Sequence, residues 1–160
     1  MYIHRRLNLQ ELADVQLLHR AYGWNAKMPG WYKAMADAPS WQDFLAERKQ
    51  ASYANFLIFN QFGTPVSLIA FSSLGNDDYE THLISARSVD ADDLFDVMVT
   101  LRDGIFQGMK ARMLVANTAD CNIGMKRLLR RLGFEPTESI EEKGLYKNHV
   151  IRVRLWRMVA

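Results

Sequence analysis

Apolar positions along this chain recur with two periods, and the switches between them mark out its elements. Tyr2 to Arg6 reads as a short strand. Leu9, Leu12, Val15, Leu18 and Tyr22 then follow at helical spacing, which predicts a helix over 9–22. Asn8 with Glu11 three residues on resembles a capping box for it. Gly23, Pro29 and Gly30 break the pattern in a stretch crowded with Trp24, Trp31 and Tyr32. Ser40 with Asp43 predicts the start of a second helix, carrying Trp41, Phe44 and Leu45 on one face. Strands over 53–60 and 65–73 flank Gln61-Phe62-Gly63-Thr64, a hairpin turn, and Gly75-Asn76-Asp77-Asp78 makes a second turn before a strand over 79–88.

Asp90 and Asp93 are caps for a helix whose stripe is Leu94, Met98, Leu101 and Ile105. Met113 to Ala116 is a short buried strand. Asn122 caps a helix holding Ile123, Leu128, Leu129 and Leu132, and Gly133 is placed to end it in the left-handed conformation. Strands over 138–146 and 149–158 meet at Lys147-Asn148. The order β-α-α-β-β-β-α-β-α-β-β, without repeats or linkers, predicts one α/β domain over residues 1–160. Its sheet should be mixed (α+β in character), helices should cover its faces, and one crossover should be parallel.

Composition narrows the class. With 160 residues, 49% hydrophobic and 24% charged, the chain is long enough to bury a core without a metal or disulfide. The single cysteine, Cys121, excludes a disulfide framework and a cysteine-based zinc site. His4, His19 and His149 show no ligand spacing, so no metal site is expected. The longest apolar run, Phe56 to Phe59, is far too short for a membrane span. The N-terminus lacks the apolar stretch of a signal peptide, which points to a cytoplasmic protein. Charge is split: residues 1–109 hold nine Lys+Arg against thirteen Asp+Glu, and residues 110–160 hold eleven against five. A basic C-terminal third suits an acidic partner or a plain solvated face. No nucleic-acid motif is recognisable.

The element order, read with Asn122-Ile-Gly-Met-Lys-Arg-Leu-Leu-Arg-Arg-Leu-Gly-Phe134, resembles the GNAT superfamily of acyl-CoA-dependent N-acyltransferases. In that family an Asn after the fifth strand opens a helix that closes on Gly-Phe at this spacing. The opening Ile3-His4-Arg5-Arg6-Leu7-Asn8 and the hairpin around Gly63 are similar too. The resemblance implies a GNAT-like fold and acetyl-CoA as the acyl donor. It also implies a cofactor loop after the fourth strand, where small residues let backbone N–H groups approach a pyrophosphate. That stretch is Arg87-Ser88-Val89-Asp90-Ala91-Asp92, with aspartate where the family carries glycine. Arg87, Ser88, Val89 and Asn122 would hold the cofactor. Carboxylates there oppose it, since two unit charges about 4 Å apart repel by roughly 1–4 kcal/mol in partly solvated surroundings. The family's proton-donating Tyr, seven residues after the Asn, is Leu129 here; Tyr146 substitutes only if the C-terminal strand brings it near.

For a general base, Glu80 and His82 alternate onto one face of the fourth strand, and an imidazole suits deprotonation of an ammonium near neutral pH. A lone strand histidine is more often an ordinary hydrogen-bonded residue. Lys126, Arg127, Arg130 and Arg131 make a basic helix face, and Trp24, Trp31, Tyr32 and Trp41 sit where the family builds its acceptor wall. Either group suits a protein partner or another copy of the chain, and the aromatics suit core filling equally. The residues therefore favour a non-catalytic binding or structural component with no cofactor. GNAT-like proteins of short-tailed phages, some of them virion components, are similar in style. The alternative is an acetyl-CoA-dependent N-acetyltransferase acting on an amine of a small molecule or protein.

Overall fold

Local signals set most element ends in the computed structural model, which describes residues 1–35, 39–86 and 89–160. Strand β1 (Ile3–Arg6) is followed by helix α1 (Leu12–Tyr22), a 3-10 turn (Gly23–Lys27), and helices α2 (Gly30–Met35) and α3 (Trp41–Arg48). Strands β2 (Tyr53–Phe59), β3 (Pro65–Gly75) and β4 (Asp78–Ser85) precede helix α4 (Ala91–Gly108). Strand β5 (Met113–Ala119), helix α5 (Ile123–Leu132) and strands β6 (Glu135–Tyr146) and β7 (His149–Val159) complete the chain. The 3-10 turn and α2 are additions to the order expected from sequence. Both fall in the glycine- and proline-broken stretch, where no apolar period exists to read.

Caps hold where they are purely local. Ser40 Oγ accepts from Asp43 N, Asp90 accepts from the N–H groups of Asp92 and Asp93, and Asn122 Oδ1 accepts from Met125 N. Gly133, at φ 99°, closes α5 in the left-handed conformation. The capping box at Asn8 and Glu11 does not form. Residues 8–11 make a turn instead, and α1 starts at Leu12. The carboxylate that reaches back to Asn8 N–H is Asp14, at 2.7 Å. It wins because Arg5 on the neighbouring strand also grips it, through two hydrogen bonds of 3.0 Å.

Asp14 is buried, and Arg5's hydrogen bonds, helped by Asn8 N–H and the guanidinium charge, outweigh burial and hold its carboxyl below the ordinary 3.8. An Asp14→Ala variant should lose about 1–3 kcal/mol in urea unfolding at neutral pH. A depressed carboxylate pKa gives stability that is present above the unfolded value and lost as pH falls through the folded one. The gap between wild type and variant should therefore be full above pH 3.8 and close on further acidification.

The seven strands order as β1-β2-β3-β4-β5-β7-β6, antiparallel except for the β4–β5 pair that α4 bridges. Two cores form. On one face α4 presents Leu94, Val97, Met98, Leu101 and Ile105 to Ile58, Ile69, Phe71, Leu114 and Trp156, joined by Leu129 and Leu132 of α5. Each fully buried side chain of this kind contributes about 1.5–3 kcal/mol. On the other face Leu57, Leu68 and Ile84 pack with Leu18 and Ala21 of α1 and Phe44 of α3.

Candidate active site

The parallel pair that joins the two halves of the sheet is short. β4 and β5 share only Asp78↔Met113, Tyr79↔Leu114 and Glu80↔Val115. Beyond that point β4 keeps its pairing with β3 as far as Ser85, while β5 keeps its pairing with β7 as far as Ala119. The two strands part like a fork. Their facing edges carry backbone N–H and C=O groups with no strand partner, in the middle of a sheet rather than at its rim. Such edges suit an extended ligand bearing amides.

A cavity of about 330 Å³ occupies the fork. Met98, Met125 and Leu129 form its wall on the α4/α5 face, with Ala116 between the strands. Asn25, Tyr32, Arg48, Glu80 and His82 also line it. Three buried polar atoms of lining residues make no hydrogen bond among the described residues: Thr81 Oγ1, Asn25 Oδ1 and Arg48 Nε. Buried polar groups are nearly always hydrogen-bonded, so three orphans around one cavity are what a ligand's polar groups would satisfy. A second cavity of about 680 Å³ adjoins it, sharing Asn25, Tyr32, Pro39 and Asn117 and adding Lys33, Glu142 and Lys143.

Strand alternation puts Glu80 and His82 on the same side, next to Ser72 of β3. His82 Nε2 lies 2.9 Å from Ser72 Oγ, and Glu80 Oε1 accepts from Asn117 Nδ2 at 3.0 Å across the fork. The Tyr53 ring stands 5.7 Å from the imidazole. Burial is the main influence on His82 and pulls its pKa below the ordinary 6.5, with the Arg48 charge acting the same way against Glu80 and Glu47. His82 is therefore neutral at neutral pH and free to accept a proton. Tyr32 is shifted upward by burial, so its hydroxyl keeps its proton.

The expected pyrophosphate end is differently furnished. Arg87 and Ser88 lie outside the described residues; Val89 is half-buried and packs on the α4 core. Asp90 occupies the first N–H groups of α4 with its own carboxylate. Arg131 Nη1 is 3.4 Å from Asp92, and the N-terminal ammonium is 3.8 Å from Asp93, so part of the acidic charge is countered. Asn122 sits at the head of α5, one turn before Met125 of the cavity wall. The head of α4, where the resemblance puts the phosphate end of a cofactor, is therefore crowded by aspartates, whereas the fork itself is open.

Other sequence candidates are dispersed. Tyr146 packs on Gly30 and lines a separate cavity of about 470 Å³ with Trp31 and Cys121, away from the fork. Trp24 and Trp41 pack against the α1/α3 core. Of the basic face, Lys126 donates to Asp120 O, Arg130 lies over the Trp156 ring and Arg131 over Phe95, while Arg127 is exposed. Among the described residues no cluster of His, Cys, Asp or Glu is arranged to hold a metal, and no helix is long and apolar enough to cross a membrane. Sequence reasoning missed Arg48, Asn25 and Thr81, since nothing local distinguishes them from helix-end or strand polar residues.

No protein-family model matches the chain, and no curated protein matches it in sequence. Solved structures do match in shape. Spermidine N-acetyltransferase from Vibrio cholerae in complex with CoA and spermine superposes with a TM-score of 0.77 at 13% identity, covering 99% of this chain and 95% of that one. The dodecameric structure of spermidine N-acetyltransferase from Vibrio cholerae in an intermediate state gives 0.75 at 12% identity, with coverage of 99% and 93%. At such identity the likeness is one of fold.

Proposed function

The chain has the fold of the GNAT N-acyltransferases, and from that premise we propose that it transfers an acyl group from acyl-CoA, acetyl-CoA in the first instance, to an amine. The fork between β4 and β5 carries this reading, because it leaves open backbone edges and a cavity of about 330 Å³ through the sheet. A sheet built only as a binding scaffold has no need to break pairing at its centre.

When bound, acyl-CoA supplies a thioester that an unprotonated amine attacks, forming the amide and releasing the thiol. His82 takes up the proton that the acceptor ammonium must lose, and its depressed pKa keeps it ready at neutral pH. Ser72 fixes the imidazole through Nε2, and Glu80 steadies the protonated ring after transfer. Leu129 gives no proton to a departing thiolate; Tyr32, on the same cavity, holds one. Thr81 Oγ1 and the open edge of β4 are placed for the polar groups of the pantetheine arm. Asn122 and Val89 would lie along the same arm.

One observation favours a second reading, a non-catalytic binding component. Asp90 has taken the helix donors that a pyrophosphate needs. On that reading Arg127 and its neighbours Lys126, Arg130 and Arg131, or Trp24 and Trp31, meet a protein partner.

Calorimetry with acetyl-CoA separates the two. Submillimolar binding is expected, and no heat at millimolar ligand would remove the acyltransferase reading. Asp92, with an 88% exposed side chain, can be replaced without loss of packing. Asp92→Lys should tighten acetyl-CoA binding about tenfold, which corresponds to about 1.4 kcal/mol. Weaker binding by that variant would contradict the repulsion argument.

A further inference from the structure

One group on the fork cavity has no part in the proton transfers above. Arg48, in the last turn of α3, is only 5% exposed and borders the cavity beside His82. We propose that its guanidinium receives a carboxylate borne by the acceptor, so that the amine acylated is an aminocarboxylate. This rests on the acyltransferase reading of the same cavity and adds the class of acceptor.

Two aromatic rings pack on the guanidinium. The Phe44 ring centroid lies 4.7 Å from Cζ and the Tyr53 centroid 5.3 Å. Ring contacts of this kind attract the cation but are not conventional acceptors for its five N–H groups. Among the described residues the guanidinium makes one hydrogen bond, from Nη1 to Asn55 Oδ1 at 3.3 Å, and Nε makes none. Among the described residues, Glu47 Oε1 makes a long ion pair with Nε at 4.0 Å and also accepts from the Tyr53 hydroxyl at 2.9 Å. A guanidinium does not shed its charge, so burial leaves a cation with most of its donors unused.

An edge of parallel N–H donors is the geometry that binds a carboxylate through two oxygens. The charge balance also selects among anions. Arg48 lines the cavity together with Glu47 and Glu80, whose charges repel a doubly charged phosphate more strongly than a singly charged carboxylate. The acceptor's ammonium would lie toward His82 and those two glutamates. A polyamine would find the two glutamates for its ammonium groups but would leave the Arg48 donors empty.

The test uses wild-type protein with acetyl-CoA and follows thiol release. Acceptors are the common α-amino acids, β-alanine and γ-aminobutyrate, each against its own carboxamide, and spermidine as a polyamine. The best carboxylate acceptor should exceed its carboxamide, and spermidine, by about tenfold or more in kcat/KM. Arg48→Gln should raise KM for that acceptor about tenfold or more while leaving acetyl-CoA affinity unchanged, and Arg48→Lys should recover part of the loss. Carboxamides or spermidine accepted as well as the acids would overturn the inference and leave the acyltransferase reading standing. So would calorimetry showing that CoA-saturated protein binds none of the aminocarboxylates. Failure to bind acetyl-CoA at all would overturn the underlying reading and this inference with it.

Discussion

Replacing His82 with Gln should lower kcat/KM by about a hundredfold or more, within the span that a positioned general base supplies. Gln keeps a polar group within reach of Ser72 Oγ, which now lies 2.9 Å from Nε2, so the local packing has a substitute. The pH profile distinguishes a proton acceptor from a packing residue. In the wild type, kcat/KM should rise with pH through a midpoint below the ordinary 6.5, because burial depresses the imidazole. The limb should vanish in His82→Gln. Removing the Glu80 charge, which opposes the depression, should move the limb further down in Glu80→Gln. Stability follows the same linkage: below pH 6.5 the unfolded chain binds a proton that the folded imidazole resists, so stability contributed by a neutral His82 falls as pH drops toward the folded value. An unchanged limb and rate in His82→Gln would remove His82 from the reaction.

Filling the fork should have an effect of similar size on the donor. Ala116 lies in the cavity wall with Met98, Met125 and Leu129, and is 7% exposed. Ala116→Leu would push a branched side chain into the space between β4 and β5. Overpacking of this kind costs about 1–3 kcal/mol, which thermal unfolding would register as a modest shift. Acetyl-CoA affinity should fall by about a hundredfold or more, or about 2.7 kcal/mol. Undiminished affinity in a folded Ala116→Leu protein would mean that the donor does not pass through the fork.

These two residues were not equally legible. The alternation of Glu80 and His82 onto one face follows from the strand period alone, so His82 was a visible candidate. Its depressed pKa is not legible, since that depends on burial by the tertiary fold and on the Arg48 charge brought from α3. Ala116 read only as a buried strand residue. The self-capped start of α4 at Asp90 is legible, because an aspartate before a helix caps its own first turn. The fork and its orphaned polar atoms have no local signature, so the aspartates alone point toward a non-catalytic protein.

The sequence by itself determined what short-range chemistry decides. Turns at Gly63, Asn76-Asp77 and Lys147-Asn148, caps at Ser40, Asp90 and Asn122, the stop at Gly133 and the stripe of α4 all depend on residues within a few positions of each other. Even there a distant partner overruled one signal, when Arg5 drew Asp14 into the place expected of Glu11. Tertiary structure alone decided where β4 and β5 part. Each strand keeps its other neighbour, β3 or β7, through long antiparallel ladders, and the two ladders diverge after three shared pairs. That divergence is a property of two sheet halves packed on helices, not of any segment. It is what brings Arg48, Thr81, His82 and Asn25 around one cavity.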